Sequence, residues 1–125
     1  MTHADRKVAI VDDDDSTCRS LSRLIRRVGF DTVTFPSAEA LLADPGRGIF
    51  TCLLVDVQLG GISGIELHRR LLLEGNRTPV IFITAYDEPD VRAEAMQSGC
   101  EAFFRKTDPG VLIIDALRRI AARSP

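Results

Sequence analysis

Five apolar runs alternate with five helical patterns along the chain, and this alternation is the feature that most limits the possible folds. The apolar runs are strand-like and lie at 7–12, 32–35, 50–56, 79–84 and 101–105. Each is followed by residues with helical spacing or with the cap residues of a helix. Strands that alternate with helices are joined by right-handed crossovers into a parallel sheet with helices on both faces. The sequence therefore predicts a three-layer α/β sandwich.

The composition of the strands predicts their order in the sheet. The runs at 7–12, 50–56 and 79–84 are almost wholly apolar, as is typical of strands covered on both faces, whereas TVTF at 32–35 alternates and is predicted to be an edge. This favours the order 2-1-3-4-5, that of a flavodoxin-like (βα)5 fold. In such sheets ligands bind beyond the carboxyl ends of the strands, where the order reverses between strands 1 and 3.

Cap residues predict the ends of several helices. The first helix is expected to have Asp15 or Ser16 as its N-cap and to end at Gly29. The fifth is expected to be capped by Asp108, with Pro109 as its first helical residue.

Four consecutive aspartates, residues 12–15, directly follow the first strand. Adjacent carboxylates repel one another, and partial burial increases that cost, so a positive partner is expected. A metal ion is the first candidate.

Polar residues stand at the carboxyl ends of four of the five predicted strands. They are Asp12 and Asp13 after strand 1, Asp56 at the end of strand 3, Thr84 at the end of strand 4, and Lys106 after strand 5. Three carboxylates form the hard oxygen site that Mg²⁺ prefers. A lysine and a hydroxyl beside such a site supply the charge and the hydrogen bond that a transferring phosphoryl group needs. One carboxylate can then act as the nucleophile.

The motifs at these positions resemble the receiver domains of two-component response regulators. The matching segments are VDD at 11–13, LLVDVQLGGISG at 53–64, ITA at 83–85 and FFRK at 103–106. The resemblance extends from residue 7 to about residue 120, so residues 1–125 are expected to form a single receiver domain.

The resemblance implies roles for the acidic residues. Asp56 would be the phosphoacceptor and a ligand of Mg²⁺, for which Mn²⁺ can substitute. Asp13 would bind the metal directly, Asp12 through water, and Gln58 through its backbone carbonyl.

The resemblance also implies roles for Thr84 and Lys106 and for three further residues. Thr84 would hydrogen-bond to the phosphoryl group and Lys106 would pair with it. Phe103 would be the aromatic that turns inward when Thr84 moves. Gln58 and Tyr86 occupy positions that tune the lifetime of the phosphoryl group, where bulk hinders the attacking water.

Two departures from the family pattern lead to further expectations. Leu59 and Gly60, followed by Gly61, stand where the family usually has Met-Pro, so the acceptor loop is expected to lack order without metal or phosphate. Thr107 replaces a proline whose peptide bond the family often holds cis. Because a non-proline cis bond costs roughly 2.5–4 kcal/mol, we predict a trans bond before Thr107, with Lys106 displaced.

Two other classes of protein remain as alternatives. Asp12, Asp14 and Ser16 spell D-x-D-x-S, which is similar to the motif of haloacid-dehalogenase-type Mg²⁺ phosphatases with Asp12 as nucleophile. Such enzymes need a further acidic pair after a later strand, and neither PVIFITAYDE nor EAFFRKTD supplies it. A nucleotide or flavin binder is disfavoured because GGISG lacks the spacing of a phosphate-binding loop.

The resemblance predicts a signalling switch that catalyses only its own phosphorylation and dephosphorylation. Its partners would be a sensor histidine kinase or a histidine phosphotransfer protein. The signal would pass to a downstream effector or a fused output domain through the fourth helix, fifth strand and fifth helix. A homodimer through this face is a further expectation. SAEALL after FPS resembles receivers that precede helix-turn-helix transcription factors, and the sequence leaves open whether this receiver stands alone.

Composition and charge exclude other functions. The formal net charge is −2 and the pI is about 5.6, so direct nucleic-acid binding by this domain is not expected. The first apolar run has only four residues, VAIV, too few for a signal sequence or a membrane span, so a cytoplasmic location is predicted. The three cysteines are predicted to be free and buried. His3 and His68 are predicted to lie on the surface.

Overall fold

A computed structural model describes residues 6–123, which form one five-stranded parallel sheet in the order β2-β1-β3-β4-β5. The elements are β1 (Lys7–Val11), α1 (Asp15–Arg26), β2 (Asp31–Phe35), α2 (Ala38–Ala43), β3 (Cys52–Asp56), α3 (Gly64–Leu73), β4 (Val80–Thr84), α4 (Pro89–Gln97), β5 (Ala102–Arg105) and α5 (Gly110–Arg123). The predicted flavodoxin-like α/β fold and strand order are confirmed.

The sheet separates two hydrophobic cores because successive side chains of a strand point to opposite faces. On one face Leu53, Val55 and Phe82 pack with residues of α2 and α3. On the other face Leu54 and Ile81 pack with residues of α1 and α5. β3 and β4 are buried along their whole length, which explains why their sequences are continuously apolar.

The strand β2 is an edge of the sheet, as its alternating sequence predicts. It pairs with β1 in register from Lys7 and Asp31 to Val11 and Phe35. Its central residue, Val33, is exposed.

The N-cap of α1 is Asp14, so the expectation of Asp15 or Ser16 is wrong. The Asp14 carboxylate accepts hydrogen bonds from the backbone N–H groups of Ser16 at 2.9 Å and Thr17 at 3.4 Å. Each aspartate in the run can cap a helix, so the sequence pattern alone does not distinguish them.

The cap predicted for α5 is also wrong. The Asp108 carboxylate accepts the backbone N–H of Arg105 at 2.9 Å and lies 3.3 Å from its guanidinium Nε. Asp108 therefore closes the turn after β5, and α5 begins at Gly110.

His68 is buried, which corrects the prediction that it lies on the surface; His3 is outside the described residues. The His68 Nδ1 lies 3.1 Å from the Ser98 hydroxyl, which donates to the Ala95 carbonyl at 2.6 Å. The ring also packs edge-on against Phe82, with centroids 5.9 Å apart. His68 thus connects α3 to the end of α4.

Burial lowers the pKa of His68, because the charged imidazolium is disfavoured away from water. The folded state then binds fewer protons than the unfolded state. The free energy of unfolding is therefore not reduced by His68 above about pH 6.5, and it falls as the pH drops below that value. We expect the free energy of unfolding to decrease more steeply between pH 7 and 5 in the wild type than in His68→Asn. Urea titrations at several pH values check this, and parallel slopes would contradict it.

All three cysteines lie within the described residues. Cys18 and Cys52 are buried as predicted, whereas Cys100 is only half-buried, and all three thiols are free. Within residues 6–123 there is no helix with the length and apolar character that crossing a bilayer requires.

Candidate functional site

Three carboxylates meet at the carboxyl ends of β1 and β3. The two strands are hydrogen-bonded neighbours, with Val11 opposite Val55, so the residues that follow lie side by side. Carboxylate oxygens of Asp12, Asp13 and Asp56 all lie within 4.8 Å of one another. Asp12 and Asp56 are buried, whereas Asp13 is exposed.

Asp12 is held in place through one oxygen only. Its Oδ1 accepts the backbone N–H of Asp14 at 2.9 Å. Its Oδ2 is fully buried and forms an ion pair with the Lys106 Nζ at 2.9 Å. A buried oxygen with spare lone pairs can accept a further cation or a water.

Asp56 shares the same lysine. The Lys106 Nζ lies 3.1 Å from its Oδ2, and the backbone N–H of Gln58 donates to its Oδ1 at 2.9 Å. Burial raises the pKa of Asp56, and the nearby Asp12 charge adds to this, while the Gln58 N–H and Lys106 act in the opposite direction. The carboxylate is thus partly desolvated but remains hydrogen-bonded in its charged form.

Lys106 is not displaced, contrary to expectation, although the peptide bond before Thr107 is trans as predicted and no described bond is cis. The Lys106 backbone N–H donates to the Thr84 carbonyl at 2.8 Å. This hydrogen bond fixes the backbone from which the Lys106 side chain reaches Asp12 and Asp56. Burial alone would lower the pKa of Lys106, but Asp12 and Asp56 raise it overall. The ammonium therefore stays charged.

Thr84 is fully buried at the end of β4. Its hydroxyl lies 2.8 Å from the Tyr86 carbonyl and 3.3 Å from the Gln58 side-chain oxygen. The Tyr86 N–H donates to the same hydroxyl at 3.1 Å. Thr84 therefore joins the acceptor loop to the β4–α4 loop, while the Tyr86 residue is 68% exposed.

Phe103 is buried in β5, with an arginine over its ring that the sequence analysis did not single out. The Arg92 guanidinium carbon lies 4.7 Å from the ring centroid. Its Nε also donates to the Asp87 carboxylate at 3.1 Å. Arg92 thus connects α4, the β4–α4 loop and the aromatic of β5.

The acceptor loop, residues 57–63 between β3 and α3, is tethered by Glu39 of α2, a contact that favours order in the loop. The Glu39 Oε2 accepts the backbone N–H of Ile62 at 3.0 Å. Gly61 next to it has a φ of 77°, which glycine adopts without strain. The Ser63 hydroxyl then accepts the Glu66 N–H and caps α3. No local pattern pairs residues 39 and 62, so the sequence analysis missed this contact.

We expect Glu39→Ala to loosen the acceptor loop. Hydrogen exchange at the Ile62 amide should become faster by a factor on the order of a few-fold, because its hydrogen bond to a carboxylate is lost. Glu39→Gln, which keeps an acceptor oxygen, should fall between Ala and the wild type. Exchange measured by NMR checks this order, and unchanged protection in Glu39→Ala would contradict it.

The acidic rim, which we define as Asp12, Asp13, Asp56 and Lys106, fits Mg²⁺. Three carboxylates and one lysine leave a formal excess of two negative charges around one point. The ligand atoms that these carboxylates offer to a metal are all hard oxygens. A divalent cation would neutralise this excess.

Comparisons with known proteins show the family to which the chain belongs. The family model for the response regulator receiver domain matches residues 8–118. The chain is 31% identical over 125 residues to the response regulator protein TmoT of Ectopseudomonas mendocina, covering all of this chain and 57% of that protein. It is 36% identical over 121 residues to the transcriptional regulatory protein FixJ of Azorhizobium caulinodans, covering 94% of this chain and 56% of FixJ.

Solved structures show the same fold. The crystal structure of FixJ-N superimposes with a TM-score of 0.85 at 31% identity and covers 97% of both chains. The chain therefore belongs to the family of receiver domains of response regulators, the signalling proteins of two-component systems. It spans little more than half the length of the curated relatives named above.

Proposed function

We propose that this receiver is a phosphorylation switch that accepts a phosphoryl group on Asp56 from a histidine of a sensor kinase or phosphotransfer protein. The observation that carries the proposal is the position of the Lys106 ammonium, 2.9 Å from Asp12 and 3.1 Å from Asp56, next to three clustered carboxylates. This position supports the proposal, because a fixed positive charge there would stabilise the oxygens of a phosphoryl group on Asp56.

The proposed transfer is an in-line displacement. A carboxylate oxygen of Asp56 attacks phosphorus and forms an acyl phosphate, while the P–N bond of the phosphohistidine breaks. The imidazole nitrogen keeps the electron pair and takes a proton from solvent. Lys106 stabilises the charge on the phosphoryl oxygens, and the Thr84 hydroxyl turns to donate to one of them.

Mg²⁺ would be held directly by Asp13, Asp56 and the Gln58 carbonyl, and by Asp12 through water, with Mn²⁺ as a substitute. When bound, it supplies positive charge to the phosphoryl oxygens. The chain itself orients the ligands, because the N–H groups of Asp14 and Gln58 fix one oxygen each of Asp12 and Asp56.

We propose that the signal leaves the site through Thr84. A hydroxyl that turns towards the phosphoryl group gives up its bond to the Tyr86 carbonyl, so the β4–α4 loop can move. The helix α4 buries only Ala95 fully, and therefore shifts at low cost. Phe103 and its Arg92 partner lie beside this path. The face of α4, β5 and α5 would then contact the output domain or a second copy.

Several finer assignments remain predictions of this proposal. Gln58 and Tyr86 would set the lifetime of the acyl phosphate, and Tyr86→Ala should speed its hydrolysis. The phosphatase alternative, with Asp12 as nucleophile, has less support because the matching family is that of receivers. The histidine-bearing partner, the output domain and the cytoplasmic location also belong to the proposal.

Metal binding provides the experiment for this proposal. Tyr86 is the only tyrosine, and the chain has no tryptophan, so intrinsic emission reports on the loop next to Thr84. We expect MgCl₂ to change this emission saturably, with the midpoint raised at least about tenfold in Asp13→Asn, since a direct ligand is lost. Asp15→Asn, which removes a neighbouring exposed charge outside the cluster, is the matched control. Equal midpoints in the two variants would contradict the assignment.

A further inference from the structure

A groove of about 780 Å³ lies between α1 and the edge strand β2. Its lining shares no residue with the acidic rim. Four arginines line it, together with Thr32 and Thr34 of β2: Arg19, Arg23 and Arg26 belong to α1, and Arg27 directly follows this helix. Within residues 6–123, Asp15 is the only acidic residue of the lining, so the described lining has a net positive charge although the chain as a whole is negative.

These arginines have no acidic partner among residues 6–123, where the ion pairs involve other residues. All four are exposed. Arg26 is oriented by an uncharged partner, because its Nε donates to the Thr32 hydroxyl at 3.0 Å. The Thr32 hydroxyl in turn donates to the Ser22 hydroxyl at 3.1 Å. The outer nitrogens of these guanidinium groups are available to bind carboxylates or phosphates in a bidentate manner.

The spacing of the arginines matches an extended chain. Arg19, Arg23 and Arg26 stand at i, i+4 and i+7, so they form one stripe along α1. Successive members are separated by a rise of roughly 4.5–6 Å. Alternate residues of a β-strand, which share one face, are roughly 6.5 Å apart. A strand with acidic residues at alternate positions can therefore pair with the stripe along its length.

The neighbouring edge of β2 offers backbone groups to such a strand. The Asp31 N–H donates to the Arg6 carbonyl and the Phe35 carbonyl accepts from Asp12, so the odd-numbered residues of β2 pair with β1. Alternate residues of a parallel strand direct their N–H and C=O groups to opposite sides, which leaves those of Thr32 and Thr34 facing outward. An unpaired edge of this kind is a template for another strand.

We propose that this groove binds an acidic, extended segment of a partner protein, which adds as a strand to β2 and pairs its carboxylates with the α1 arginines. Backbone pairing supplies affinity, and the charge pattern supplies specificity. A second copy of this chain is disfavoured as the occupant, because edge-to-edge pairing would bring two arginine stripes together. This inference is independent of phosphorylation at Asp56.

The proposal is tested with fluorescently labelled peptides and fluorescence anisotropy. A peptide in which glutamate alternates with valine should bind, and a scrambled peptide of the same composition should bind at least about tenfold more weakly. The double variant Arg19→Gln/Arg23→Gln should weaken binding of the alternating peptide at least tenfold. Arg118→Gln/Arg119→Gln on α5, which removes the same charge from exposed residues outside the groove, should leave it unchanged.

Thr34→Pro tests strand addition separately, because proline removes the outward N–H at position 34 while all four arginines remain. It should also weaken binding at least tenfold, and circular dichroism and acceptor activity verify its fold. If Thr34→Pro does not fold, the scrambled peptide alone decides the role of the strand. The proposal is overturned if the alternating peptide does not bind, if both peptides bind equally, or if both double variants lose binding equally. Binding of oligodeoxythymidine with the same arginine dependence and tighter than the peptide would assign the groove to nucleic acid instead.

Discussion

Asp56→Asn is expected to abolish phosphorylation by acetyl phosphate in the presence of Mg²⁺, with a loss of at least about a hundredfold in labelled protein. Asparagine has nearly the same shape, and its side-chain oxygen can still accept the Gln58 N–H, so the fold should be kept. The amide lacks the negative charge and the nucleophilic oxygen that form the acyl phosphate. Incorporation of radiolabelled phosphate, followed over time, measures the effect.

A matched control is available on the surface of the same chain. Asp115→Asn makes the same chemical change at an exposed position of α5 and should be phosphorylated at the wild-type rate. Retention of stable label by Asp56→Asn, together with its loss in Asp12→Asn, would instead favour the phosphatase alternative.

Gly64→Ala is expected to destabilise the protein and to impair the acceptor site together. A Cβ at Gly64 would meet the backbone carbonyl oxygen of Asp56, and would lie 2.9 Å from the Val55 Cγ1 and 3.0 Å from the Asp56 carbonyl carbon. Since the obstruction is backbone, α3 or the end of β3 must shift. We expect the free energy of unfolding to fall by about 1–3 kcal/mol, as for other overpacked sites. The phosphorylation rate should fall because Asp56 moves relative to Lys106.

The sign of this effect distinguishes the packing argument from helix propensity. Gly64 is the first residue of α3, and propensity alone would make alanine there more favourable by roughly 0.5–1 kcal/mol. Gly60→Ala is the control in the same loop, because its added Cβ meets nothing within 4 Å. Thermal and urea unfolding of the two variants decide the matter. Equal or higher stability of Gly64→Ala would contradict the close approach.

The fold and the acidic cluster were accessible from the sequence for two physical reasons. Strands buried on both faces must be continuously apolar, so β3 and β4 were recognisable, as was the alternating edge β2. Parallel strands also end at one rim, so polar residues at their ends are brought together whatever the helices do. This is why the sequence alone predicts that Asp12, Asp56 and Lys106 lie near one another.

Two features were missed because they depend on contacts between residues that are far apart in the sequence. Glu39 reaches the Ile62 amide across two elements, and no periodicity encodes that pairing. The peptide bond before Thr107 alone favours a displaced Lys106, whereas the Thr84 carbonyl and two carboxylates hold this lysine in place. His68 is different: Gly64, Leu67, His68 and Leu71 follow the i, i+3, i+4, i+7 pattern, so its burial was readable from α3.

The site also shows how a buried charge cluster is tolerated. Asp12 and Asp56 lose most of their contact with water, which is costly for carboxylates. Each receives one backbone N–H and shares the ammonium of Lys106, so no carboxylate among the three is both buried and without a positive partner. The exposed Asp13 completes the proposed cation site.

The central claim is that Asp56 is the residue that accepts phosphorus, and chemical mapping tests it most directly. Wild-type protein is phosphorylated with acetyl phosphate and Mg²⁺ and then treated with borohydride, which reduces an acyl phosphate of aspartate to homoserine. Peptide mass spectrometry should find homoserine at position 56 only, and none when Mg²⁺ is removed with EDTA. Homoserine at position 12 or 13, or its absence from the fully treated protein, would contradict the account.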